Sequence, residues 1–279
     1  MKAIGYIAEG SCSQGVKARG TAFRGWGFML RVLFGVAFLT VCLARESCAV
    51  EIEIAGKVYQ ATVENGAVVV KDKTGKAVAL PPDAGIGLAV TSDGKGLQIT
   101  GGVGTAVVRA KGGVAVTIGP GQAASFTPTA DGLGTLIEAV TGTLSGTCTV
   151  GPAAPGKPVV TCKVEFKQGS AAVFGVGADG KSGHVTNTKG SITLVDGNGL
   201  RATLDGNDSV SLGAGQAPGS LVLKALAGDG IALVNPDGIT ATLRTGQTQA
   251  MAGTAVRAGP GKGASPTNGK HRAGGSPHT

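Results

Sequence analysis

Cys148 and Cys162 are the residues of this sequence best placed to do chemistry, and the chemistry they suggest is a bond to each other. They flank "TVGPAAPGKPVVT", with Pro155 at its midpoint. On a period of two, Gly146, Cys148 and Val150 share one face of an incoming strand, and Val160, Cys162, Val164 and Phe166 share one face of an outgoing strand. Thr147, Thr149, Thr161, Lys163 and Glu165 take the opposite face. Two strands, a Gly/Pro loop and symmetric cysteines in an exported chain read as a hairpin, residues 143–166, closed by a disulfide. Free thiols are the alternative. A metal pair is the poorer reading, because two thiolates without a nearby histidine make a weak zinc site.

The remaining candidates point away from catalysis. His271 and His278 lie in a polar tail, and His184, within "GADGKSGHVTN", is expected on an exposed turn. Asp93, Asp179, Asp196, Asp205, Asp229 and Asp237 each stand immediately before glycine, where aspartate stabilises turns. No two carboxylates stand out as a glycosidase dyad. "LDGNDSVSL" at Leu204–Leu212 has part of a calcium β-roll pattern, but its glycine spacing is incomplete. "GVGTAVVRAKGG" lacks the strand-to-helix context of a dinucleotide site. Tyr59, Phe126, Phe166 and Phe174 are few for sugar stacking over the whole body. The chain therefore reads as a non-enzyme with no cofactor and no metal site.

Any such face must be carried by a folded body, and the ends of the chain delimit it. Val32–Ala44, "VLFGVAFLTVCLA", is an apolar run with Arg31 before it and Arg45 after it. It is shorter than the roughly 20 residues of a membrane span. Ser47 and Ala49 supply the small residues of a signal-peptidase site, so residues 1–49 are expected to be a signal peptide cut before Val50. A cut after Ala44 is the alternative, lipidation at Cys42 is poorer, and Met29 opens an n-region of ordinary length and is read as the start. The formal charge of +8 then resides in the leader and in residues 252–279, a basic Gly/Pro/Ser-rich tail expected to be disordered. Between them, Val50–Met251 carries 15 basic and 15 acidic residues. A neutral body offers no nucleic-acid face.

That body, 50–251, repeats itself. After Gly113, Gly199 and Gly238 come "VAVTIGPGQ", "LRATLDGND" and "ITATLRTGQ". Val114, Val116 and Ile118, then Leu200, Ala202 and Leu204, then Ile239, Ala241 and Leu243 are the inward positions of half-buried strands. Arg201, Thr203, Thr240 and Thr242 fall outside and are the candidate partner-binding set. A preceding strand carries Ala106 and Val108, Ile192 and Leu194, or Ile231 and Leu233, and "KGG", "DGNG" or "NPDG" supplies the turn. "VVVKDKTGKAVALPP" at Val68–Pro82 is a fainter copy marked by Gly75. The marks are 38, 86 and 39 residues apart, so one unit of the middle interval is read as replaced by the inserted cysteine hairpin. At the closing corners, Gln122 and Gln247 are placed to offer their amides to exposed backbone. The expectation is an all-β fold in which Gly-rich strand–turn–strand units form a solenoid-like or sandwich-like stack.

The pattern of apolar strand, Asp/Gly turn, "xVxL" and "xxGQ" resembles the periplasmic part of FecR-type proteins. Ser191–Met251 and Thr105–Phe126 carry the likeness best, and 67–82 weakly. The resemblance implies a stand-alone exported module without the cytoplasmic helical domain of the sigma-regulating members, since nothing before Val32 is expected to form one. The functional expectation is a non-catalytic scaffold or binding module, periplasmic or secreted, that contacts an envelope protein or polymer. It would have no transmembrane span after processing. A FecR-like signal receiver is the alternative, and an envelope hydrolase or lyase a more distant one.

Overall fold

The structure, a computed structural model, describes residues 49–151, 159–177, 182–215 and 220–251. The leader up to residue 48, the tail at 252–279 and Pro155 lie outside them. The chain builds two antiparallel sheets by laying hairpins alternately in one and the other. The first sheet opens with β1 (Ala49–Ile54), β2 (Lys57–Glu64) and β3 (Ala67–Asp72), and the second with β4 (Ile86–Val90) and β5 (Leu97–Gly101). A short 3-10 turn, Pro82–Ala84, lies between them. Then β6 (Ala106–Ala110) and β7 (Val114–Ile118) join the first sheet, and β8 (Ala123–Pro128) and β9 (Gly134–Thr141) the second. β10 (Leu144–Val150) and β11 (Val160–Phe166) follow in the first, and β12 (Ala171–Val176) and β13 (Gly183–Lys189) in the second. β14 (Ser191–Val195) and β15 (Arg201–Asp205) alternate in the same way with β16 (Ser209–Ala214) and β17 (Leu221–Ala227). β18 (Ile231–Val234) and β19 (Thr240–Leu243) end the first sheet, and β20 (Thr248–Met251) ends the second. No helix among the described residues is long and apolar enough to cross a membrane.

The all-β expectation holds, and the repeats stack. They do not wind into a solenoid, because each hairpin pairs antiparallel with the hairpin one unit earlier in its own sheet, and both sheets stay open-edged. The hairpin at 143–166 is not an insertion either. β10 pairs with β7 and β11 with β14, so it fills the vacant place in the 86-residue interval as an ordinary unit with a longer turn. The copy marked by Gly75 is incomplete: β3 is a strand, but only an isolated bridge between Lys71 and Ala77 continues it.

One core lies between the sheets. Val114, Val116, Ile118, Leu200, Ala202 and Leu204 are all buried, as the alternation predicts. The last unit departs from it. Ala241 is only partly buried, and Ile239 is 60% exposed because it closes the turn that begins at Asn235. Among the described residues, no further unit covers that end of the stack.

The corners that carry the chain from the first sheet to the second repeat in atomic detail. Gln122 donates its N–H to the Gly119 carbonyl and accepts the Gly119 N–H on Oε1 (2.7 Å). Gln247 does the same at Arg244 (2.8 Å), as expected for the side-chain amides. Asp208 substitutes a carboxylate, its Oδ2 accepting the Asp205 N–H (3.0 Å). At the fourth corner Ser170 donates its N–H to Lys167 and its hydroxyl to the Ser191 carbonyl. The carbonyls of Gln122, Ser170, Asp208 and Gln247 accept the N–H groups of Gly101, Ala139, Asn187 and Ala225, which ties these four corners to the preceding unit. A bulge follows three of the corners, at Ala123/Ala124, Ala171/Ala172 and Ser209/Val210.

The two tight turns of the first sheet differ in one residue. Asn65–Gly66 and Ala55–Gly56 both place two residues at positive φ, and Ala55 (φ 49°) has no side-chain compensation for it. The left-handed region costs an ordinary L-residue about 1–2 kcal/mol, which asparagine partly avoids. Ala55→Asn is expected to raise stability by about 0.5–1 kcal/mol, read as a higher denaturation midpoint.

Candidate binding face

Strand alternation turns every second residue of β15 and β19 away from the core, and the pairing register shows where they meet. Thr203 and Thr242 lie in one row, both opposite Ala232 of β18; Arg201 and Thr240 lie in the next, both opposite Val234. The structure therefore brings the four predicted residues together on the outer face of the first sheet. With strands about 4.8 Å apart and alternate residues about 6.8 Å apart, they outline a patch of about 10 by 7 Å. Arg201, Thr240 and Thr242 are exposed and Thr203 partly so.

The rows continue inward along the sheet. Thr203 stands opposite Thr193, and Thr193 opposite Glu165. Arg201 reaches across β14 to Glu165, with Nη2 at 3.2 and 3.3 Å from the two carboxylate oxygens. This exposed pair contributes little to stability, but it neutralises the arginine. The cation that accompanies the patch is Lys163 of β11, one row over. Glu165, Lys163 and Thr193 belong to the face, and sequence reasoning left them out. The alternation in "TCKVEF" and "SITLV" already turned them outward; the lateral order β11–β14–β15 was what joined them to Arg201.

The cysteines are a correction. Cys148 and Cys162 are directly opposite each other and buried, but they are free thiols. Backbone geometry accounts for this. Thr149 gives its N–H to Gly113 on the β7 side (2.7 Å), so Cys148 turns its backbone groups toward β11. Cys148 and Cys162 thus form a hydrogen-bonded pair, with Cβ atoms near the wide end of about 4.5–5.5 Å. A disulfide needs about 3.8 Å. The hydrogen bond between the thiols, and then burial, holds Cys148 well above the ordinary thiol range. It serves as core packing.

His184 is the other correction. It is on β13, partly buried, rather than on an exposed turn. Its Nε2 lies 2.7 Å from Ser209 Oγ and 3.1 Å from Thr186 Oγ1, and the two hydroxyls are 2.9 Å apart. The neighbouring acid Asp208 is committed to its corner through the Asp205 N–H. The triangle acts as a polar tie between β13 and β16. Among the described residues, no group of three or more His, Cys, Asp or Glu side chains is arranged to hold a metal ion.

No protein-family model matches this chain, and no curated protein or solved structure is significantly similar to it.

Proposed function

We propose that this chain is an exported, non-catalytic binding module of the cell envelope, periplasmic or secreted, which holds a protein or an envelope polymer against the outer face of its first sheet. One observation carries the reading: Arg201, Thr203, Thr240 and Thr242 converge with Thr193 in a patch whose arginine is already paired with Glu165. Short hydroxyl side chains on a continuous sheet offer hydrogen bonds with little side-chain entropy to lose. Apolar Ala232 and Val234, on β18 between the strands that carry Thr203, Thr240 and Thr242, add contact area without charge. The FecR-type likeness of the repeats supports an envelope location within the same reading.

The test compares the wild-type chain with a variant carrying Thr203→Glu and Thr242→Glu. Both are assayed for co-sedimentation with purified wall polymer and for crosslinking to envelope proteins in intact cells. Loss of retention by about tenfold or more is expected from the variant, with an unchanged thermal midpoint. Equal retention of both proteins in both assays overturns the proposal.

A further inference from the structure

Among the described residues both ends of the stack leave open sheet edges, and they differ in what those edges expose. At the C-terminal end, Leu243 is fully buried and Gln249 nearly so. At the N-terminal end, Val63, Val70, Val78, Leu80, Ile86 and Leu88 pack against the core yet are only partly buried. A repeat array ordinarily finishes in a unit with a polar outer side, and these apolar residues are where such a unit would lie.

The two sheet edges at this end are treated differently. In the first sheet, β3 is covered by the segment that follows it: Val78 donates its N–H to Val70 (2.9 Å) and Asp72 to Lys76 (2.9 Å). Lys71, Lys73 and Lys76 add the charge that discourages strand addition. In the second sheet, β4 reads "IGLAV", with no charge and no proline, and among the described residues it pairs only with β5. Thr91 donates its N–H to Gly96 (2.9 Å), and the Gly85 carbonyl accepts from Gly102 (2.7 Å). Odd-numbered residues therefore bond to β5, and the N–H and C=O groups of Ile86, Leu88 and Val90 face outward from the sheet edge. Val103, 87% exposed, sits against Gly85 at the start of the same strand.

We propose that β4 is the seam of a homodimer, paired with the β4 of a second copy about a twofold axis through Leu88. The strand is self-complementary in that arrangement. Antiparallel pairing sets Leu88 opposite the partner's Leu88 and Ile86 opposite the partner's Val90, all as hydrogen-bonded pairs. The inward side chains that are half-exposed in one copy then cover those of the other. The junction is the one the chain already uses within this sheet, where β8 adds to β5 and β12 to β9 in the same antiparallel manner. Charge does not oppose it: Lys71, Lys73 and Lys76 are balanced by Glu64, Asp72 and Asp83 around the rim. Twofold dimers with the same patch on both subunits are the commonest closed assembly.

Sedimentation velocity and hydrogen exchange on the protein recovered from producing cells test the seam. The expected mass rises with concentration from one chain to two. The amides of Leu88 and Val90 become protected in the dimer and lose that protection on dilution. The Thr242 amide, on the free edge of β19, exchanges rapidly throughout. Leu88→Pro removes an outward N–H and leaves the β4–β5 bonds in place, so it is expected to give one chain at every concentration. A wild-type protein that remains a single chain overturns the proposal, as does concentration-dependent protection at Thr242 in place of Leu88. A folded Leu88→Pro variant that still dimerises also overturns it. Should that variant fail to fold, the wild-type exchange pattern decides alone.

Discussion

Phe174→Ala is expected to destabilise the fold by about 3–5 kcal/mol, the usual range for emptying a phenylalanine site in a core. Phe174 is fully buried on β12, the middle strand of the second sheet. Its ring meets Phe166 of the first sheet at 5.7 Å between centroids, tilted by 51°. Such a pair adds to the area it buries. The residues opposite it on the two neighbouring strands are Val185 and Thr135, which are too short to fill a ring-sized void. Phe174→Leu keeps most of the volume and should lose clearly less. Denaturant midpoints for both variants check the prediction, and a loss below about 1 kcal/mol for the alanine variant would contradict the central packing role.

Ala202→Leu against Thr203→Lys is the second large contrast. Ala202 is fully buried on β15, between Leu194 and Leu233 in the neighbouring strands. Three additional carbons there must displace packed neighbours, at about 1–3 kcal/mol. Thr203, the next residue, points outward, and lysine there should cost no more than about 0.5 kcal/mol. The equivalent Ala241 is a weaker site for the same experiment, because its strand ends the sheet and the residue is only partly buried. Similar losses at positions 202 and 203 would show that the inward and outward faces are wrongly assigned.

How far the sequence carries can be judged at these same residues. Alternation identified Val116 and Ala202 as inward and Thr203 as outward, because one strand's burial depends on its own period of two. Turn chemistry at "DGNG" and "NPDG" was equally local: Asp196 Oδ1 accepts the Leu200 N–H (2.9 Å) and Asn235 Oδ1 the Ile239 N–H (2.7 Å). Which sheet the next hairpin joins is not a local property, so solenoid and sandwich could not be separated. The cysteine hairpin looked foreign because its longer turn stretched the period, although its strands keep register with β7 and β14. The thiols' opposition was legible. Their place in a hydrogen-bonded pair was not, since it depends on the hold of β7 on Thr149. In the candidate face, the outward residues could be read from "LRATL" and "ITATL", whereas the Arg201–Glu165 pair required knowing that one strand separates them.

The order in which strands join the sheets also sets the order in which the chain can fold. From β7 onward, each strand pairs with one from its own hairpin or from the nearest earlier hairpin of its sheet, so loop closure is short at every step. A chain emerging amino end first could therefore assemble progressively, each new hairpin templated by edges already made. The first strand is the exception. β1 lies between β2 and β6, with Glu51 opposite Arg109, so one of its two sides stays unpaired until residues nearly sixty positions later have arrived. Among the described strands β1 thus waits over the longest stretch of chain for its second neighbour, and during that interval its open side is the one most available to a chaperone.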